Sequence, residues 1–175
     1  ISSMVRVRVL NTADVGTFDT SDTNFKIMAS FAVTAPNGGE VLVVGNSQDI
    51  TWTTSGTVSN VKLEYSTDAR TTYPNLISAS TPNAQTYAWT VPNAISSTLR
   101  VKVSDVTDAE AFDTSNANFR IRAGFTLTTP NGGEAWIVGT TQNITWTTAG
   151  TAANVKLEYS TDGGTTYPNV ISASL

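Results

Sequence analysis

The sequence predicts an all-β protein, built from antiparallel β-sandwiches that repeat every 94 residues. Three observations carry this expectation. First, apolar and polar residues alternate in short runs such as Val5-Arg6-Val7-Arg8-Val9 and Val61-Lys62-Leu63-Glu64-Tyr65. That is the period of a half-buried strand, and no segment carries a 3.6-residue period of helical length. Second, turn residues such as Asn37-Gly38, Ser55-Gly56, Pro82-Asn83 and Pro92-Asn93 punctuate the runs. Third, Asn60–Asp68 recurs unchanged as Asn154–Asp162. Around it Pro36-Asn37-Gly38-Gly39-Glu40, Ile50-Thr51-Trp52 and Tyr73-Pro74-Asn75 each recur 94 positions later.

Residues 1–30 match the end of a repeat rather than its start. Ile1-Ser2-Ser3 corresponds to Ile95-Ser96-Ser97, and Asn24-Phe25-Lys26-Ile27 to Asn118-Phe119-Arg120-Ile121. The segment therefore reads as the sixth and seventh strands of an incomplete repeat.

Residues 31–124 read as one complete sandwich of seven strands. The first runs from Phe31 to Thr34 and continues at Val41–Val44 after a turn. The second is Asp49–Thr54, with Ile50 and Trp52 inward. The third is Asn60–Ser66, with Val61, Leu63 and Tyr65 inward. A short fourth lies at Leu76–Ser78. The fifth is Thr86–Val91, with Tyr87, Trp89 and Val91 inward. The sixth and seventh are Thr98–Val103 and Asn118–Arg122. Trp52, Trp89 and Tyr65 should carry much of the core, because an aromatic side chain buries more area than a Val.

Residues 125–175 match residues 31–81, the first to fourth strands of another incomplete repeat. Trp146, Val155, Leu157 and Tyr159 then lack half of the sandwich that should cover them. Three readings stay open: a fragment of a longer array, a window on a continuous polymer, or strand donation between copies. In the third, Val5, Val7, Val9, Phe25 and Ile27 of one copy cover Trp146, Val155, Leu157 and Tyr159 of the next. Such a contact is head-to-tail and propagates into a filament.

Composition narrows the chemistry. There is no Cys and no His, so disulfides, thiolate metal sites and the commonest general base are all absent. No nucleophile, base and orienting group stand together, so no enzyme is expected. The net charge of −4 argues against a nucleic-acid partner. No run approaches the roughly 18 apolar residues of a membrane span.

The string Pro-Asn-Gly-Gly-Glu, then Gly45 or Gly139, then Ile-Thr-Trp, then Asn-Val-Lys-Leu-Glu-Tyr-Ser-Thr-Asp resembles the Ser/Thr-rich GPI-anchored cell-wall protein domain family. That domain of fungi also recurs as tandem repeats in secreted bacterial and archaeal proteins. The likeness covers the whole repeat, including Trp89-Thr90-Val91-Pro92. Trp136 fits the family's Trp after Glu, whereas Leu42 departs from it. The resemblance implies an immunoglobulin-like or fibronectin-III-like extracellular module of wall, surface or fibre proteins, with no catalytic residue.

Four further features are candidates for function. Ser160-Thr161-Asp162-Gly163-Gly164-Thr165-Thr166-Tyr167 resembles the Asp-box, a hairpin turn of sialidases, and reads as a turn held by its own Asp and Ser. Asp105, Asp108, Glu110 and Asp113 crowd one connection, where Asp105, Asp108 and Asp113 could supply oxygens to calcium. A solvated acidic loop is the alternative. Lys62, Arg100, Lys102, Arg120 and Arg122 should all face outward from one sheet, suiting a neighbouring copy, an acidic wall polymer or a glycan. Asn143-Ile144-Thr145 is an N-glycosylation acceptor pattern at Asn143. Together these features predict a structural subunit at the cell surface, with an adhesin or carbohydrate-binding spacer as the alternative.

Overall fold

The computed structural model describes all 175 residues and contains strands but no helix. The chain opens with β1 (Ser2–Val5), β2 (Arg8–Leu10), β3 (Phe18–Thr20) and β4 (Phe25–Ile27). β1 pairs antiparallel with β4, and β2 with β3.

The middle of the chain adds β5 (Ser30–Ala35), β6 (Val41–Val43), β7 (Ser47–Ser55), β8 (Asn60–Ser66) and β9 (Asn75–Pro82). It continues with β10 (Thr86–Thr90), β11 (Ser96–Asp105), β12 (Phe112–Thr114) and β13 (Phe119–Arg122). One sheet has the order β10-β7-β5. The other runs β6-β13-β11-β8-β9, with β12 also paired to β11. The chain thus changes sheets between β5 and β6. Pro36, which has no N–H to leave unpaired, stands at the crossing. Beyond it Asn37 N and Gly38 N donate to the Glu40 carboxylate, at 2.6 and 2.7 Å, and close the turn.

The two sheets close a β-sandwich on one core. Phe31, Val33, Ile50, Trp52 and Trp89 come from the first sheet. Val61, Leu63, Leu99, Val101, Val103, Phe119 and Ile121 come from the second. Each of these side chains contributes about 1.5–3 kcal/mol by leaving water. Trp89 sits 5.5 Å from the Tyr65 ring and edge-on to Phe119 at 6.5 Å, between centroids. Trp52 Nε1 donates to Asn83 Oδ1 at 2.8 Å, so the indole N–H does not lose its partner on burial. All eight inward residues expected of the second, third and fifth strands lie in or against this core.

The structure departs from the sequence expectation at β9 and β12, and also in residues 1–30, where four strands stand in place of two and β3 repeats β12. β9 extends over Asn75–Pro82 rather than a short stretch at Leu76–Ser78, because it follows the full length of β8 from Tyr65 back to Asn60. β12 was not foreseen. Its three residues have no apolar alternation and become a strand only by pairing with Lys102, Val103 and Ser104.

The chain closes with β14 (Gly124–Thr129), β15 (Thr145–Ala149), β16 (Leu157–Tyr159) and β17 (Asn169–Ser172), paired β14 with β15 and β16 with β17. The registers at both ends reproduce those of the middle. Ser2 opposes Ile27 as Ser96 opposes Ile121, and Val9 opposes Asp19 as Val103 opposes Asp113. Leu127 opposes Trp146 as Val33 opposes Trp52, and Tyr159 opposes Asn169 as Tyr65 opposes Asn75.

Candidate functional site

Side-chain anchors recur along with the registers. Arg6 Nε donates to Asn24 Oδ1 at 2.8 Å, as Arg100 Nε does to Asn118 Oδ1 at 2.7 Å. Val7 N donates to Ser21 Oγ as Val101 N does to Ser115 Oγ. Burial does not recur. Val101 and Val103 are 1% and 0% exposed, whereas Val7 and Val9 are 60% and 69% exposed. Phe25 and Ile27 are exposed where Phe119 and Ile121 are buried, and Val5 is only half-buried.

The C-terminal strands show the converse face. Trp146, Val155 and Leu157 are half-buried and Tyr159 is exposed. Between the β14–β15 and β16–β17 pairs lies an open cavity of about 420 Å³, lined by Leu127, Pro130, Trp136, Ile144, Leu157, Glu158, Tyr159 and Ile171. Trp136 stands at the position of Leu42, which lies in the closed core of the middle segment.

Contacts that local sequence pattern could not show join the segments. Lys26 Nζ reaches Asp108 Oδ1 at 2.6 Å and Glu110 Oε2 at 2.9 Å. These hydrogen bonds, to Asp108 first, raise the Lys26 amine above its ordinary value and hold the Asp108 carboxyl below its own. At the other junction Asn93 Nδ2 donates to Thr151 Oγ1 at 2.7 Å, and Thr151 N donates back to Asn93 Oδ1 at 3.1 Å. Gly150, at φ 85°, leaves no room for a Cβ, which would lie 2.8 Å from Val44 Cγ2. Gly56 is its counterpart and packs on Ile1 and Ala29.

The calcium candidates are not brought together, and no three acidic side chains form a cluster able to hold a metal ion. Asp105 Oδ1 accepts from Thr107 N and Thr107 Oγ1. Asp108 faces Lys26. Asp113 Oδ2 accepts Val33 N at 2.7 Å and so ties β12 to β5 across the sandwich. Asn143 is exposed.

The cationic residues do share a sheet, but several are engaged. Lys62 pairs with Glu64 at 2.6 Å, Lys156 with Glu158, and Arg100 also donates to Ser115 O and Asn116 O. Lys102 Nζ lies 4.5 Å from the Phe112 ring centroid and 5.7 Å from that of Tyr73. Arg120 and Arg122 remain exposed.

Both Asp-box-like segments are tight turns. Ser160 Oγ donates to Asp162 Oδ1, and Asp162 accepts from Thr166 N and Thr166 Oγ1. Ser66, Asp68 and Thr72 repeat this arrangement. The hydrogen bond from Ser66, then those from Thr72, hold the Asp68 carboxyl at about 2, and the same bonds hold Asp162 below the usual carboxylate range. Every carboxylate lone pair used here is used locally, and no second carboxylate shares the turn. Comparison with known families, curated proteins and solved structures finds no match.

Proposed function

We propose that the chain is a structural subunit of an extracellular filament, fibre or surface layer, made of tandem immunoglobulin-like sandwiches that assemble head-to-tail. Its whole repeat unit is the sandwich of residues 31–124, and residues 1–30 and 125–175 carry parts of the same unit. One observation supports this above the others: the strand registers of the middle recur 94 residues away on both sides of it, as in a tandem array. Sandwiches stacked end to end meet through two different faces, and such a heterologous contact yields open chains rather than closed rings when the rotation does not close. The resemblance to wall-protein repeats and a surface rich in Thr, Ser and Asn support placement outside the cell.

The exposed Trp136 and Tyr159 beside the open cavity favour a second reading, an adhesin or carbohydrate-binding repeat of a larger secreted protein. Negative-stain electron microscopy with light scattering tests the two. Head-to-tail assembly gives thin fibres with a regular axial repeat that disappear when residues 1–30 are deleted. A monomer that retains glycans on an array supports the second reading instead.

A further inference from the structure

We infer that successive units of one chain are locked into a single stiff body by a docking surface at the end of each sandwich. In the middle sandwich Val43, Val44 and Asn93 form that surface, and it requires glycine at the place of Gly56 and Gly150 in the unit that follows. The lock acts within a single chain, whether or not chains associate. Sandwiches joined in tandem swing about their linker unless the contact between them is extensive. Here the linkers leave no slack. Met28 and Ala29 alone separate β4 from β5, and Ala29 is 6% exposed within the core cluster. Ala123 alone separates β13 from β14, and just before it Val44 N donates to Arg122 O at 3.1 Å. One extended residue spans only about 3.5 Å, so the units cannot part without breaking their contacts.

Both junctions use the same place. Gly56 follows β7 as Gly150 follows β15. A Cβ on Gly56, at φ 94°, would lie 3.2 Å from Ile1 Cδ1, and one on Gly150 would lie 2.8 Å from Val44 Cγ2 and 3.2 Å from Asn93 Oδ1. Ile1 corresponds to Ile95, just beyond Asn93, so both glycines rest on the connection between β10 and β11 of the preceding unit. Hydrogen bonds then fix the rotation. Asn93 donates to Thr151 Oγ1 and accepts from Thr151 N, and an amide that uses both its ends on one residue has a single orientation. Gly124 makes a second close approach, since its Cβ would lie 2.7 Å from Val43 Cγ1. Val43 is β-branched and cannot swing that methyl aside freely. At the first junction, where Ser30 holds the place of Gly124, Lys26 adds its ion pairs to Asp108 and Glu110 of the unit that follows.

The chain has no cysteine, so two introduced ones can carry spin labels alone. Thr53 and Thr147 are exposed and hold equivalent places in successive units. Double electron–electron resonance between labels on Thr53→Cys and Thr147→Cys, with labelled chains diluted in unlabelled ones, reads the distance across the junction. A Thr53→Cys/Ala79→Cys pair, within the middle sandwich, is the reference. The junction should give one distance, with a spread within about 1.5-fold of the reference, as close packing predicts. Gly150→Ala should widen the spread about twofold, because the new Cβ must displace Val44. Asn93→Ala should widen it too, and it leaves both hairpins untouched. Gly124→Ala should widen it likewise, and adding Val43→Ala, which removes the clashing methyl, should narrow it again. The reference pair should not change in any variant. A spread several-fold wider than the reference before any junction substitution overturns the lock. A narrow distance that neither Gly150→Ala nor Asn93→Ala widens overturns the docking surface as its cause.

Discussion

Lys26 Nζ and Asp108 Oδ1 lie 2.6 Å apart although 82 residues separate them in sequence. Lys26 belongs to the first pair of strands and Asp108 to the hairpin between β11 and β12, so the contact bridges two segments. Its loss loosens the bridge without touching either core. Lys26→Ala should therefore raise hydrogen exchange in residues 1–28 about two- to fivefold and leave unfolding of the middle sandwich unchanged, the scale expected of a partly exposed ion pair.

The same bridge responds to pH at both extremes. Asp108 is shifted down from 3.8, so its contribution is full above that value and is lost as pH falls through the lowered folded value. Lys26 is shifted up from 10.5, so its contribution is full below that value and is lost as pH rises through the raised one. Exchange protection of residues 1–28 should be flat between about pH 5 and 9, and should fall on either side.

The serine-aspartate turn gives an acid-side prediction of its own. Asp68 sits at about 2 against an ordinary 3.8, so its stabilisation is present above 3.8 and disappears as pH drops toward 2. Asp68→Asn should flatten that limb of the stability curve, followed by thermal melts between pH 5 and 2. Ser66 is fully buried and bonds Asp68 Oδ1, Asp68 N and Arg70 N. Ser66→Ala should cost about 1–3 kcal/mol, since it strands buried polar groups.

Core truncation should separate the segments. Trp52 is 2% exposed and Trp146, its counterpart, is only half-buried. Trp52→Ala should cost about 3–5 kcal/mol in denaturant unfolding of the dispersed chain, and Trp146→Ala under about 2 kcal/mol.

Gly38 and Gly39 provide a paired backbone test. A Cβ on Gly38, at φ 135°, would lie 2.4 Å from Ala117 Cβ, whereas one on Gly39, at φ 86°, meets nothing within 4 Å. Gly39→Ala should cost about 1 kcal/mol from the left-handed backbone alone. Gly38→Ala should cost more, on the order of 2–3 kcal/mol, because Ala117 must also move. Urea midpoints of the two variants give the comparison.

Strand positions and the core were legible because alternation at Ile50, Trp52, Val61, Leu63 and Trp89 records burial directly. β12 was not, because Phe112–Thr114 owes its strand state to β11 rather than to its own pattern. The engagement of the acidic loop was hidden for a related reason. Spacing brings Asp105, Asp108 and Asp113 close in sequence, but Thr107, Lys26 and the Val33 amide each claim one of them. Two of those partners lie outside the loop. The outward direction of the basic side chains was legible from period two. The engagement of Arg100 by Asn118 and of Lys102 by the Phe112 ring was not, because it depends on neighbouring strands and loops.

Ala69 and Arg70 adopt φ values of 58° and 86° at the tip of the first serine-aspartate turn, where the second turn has Gly163 and Gly164. The backbone there is held by the Ser66 hydroxyl and the Asp68 carboxylate, so the tip accepts Ala69 and Arg70 where the second turn has glycines. A short foreign peptide grafted at such a tip would be carried on a rigid stem in every repeat. An ordered array of these chains would then present its cargo at a fixed, periodic spacing, as a ruler bears its marks.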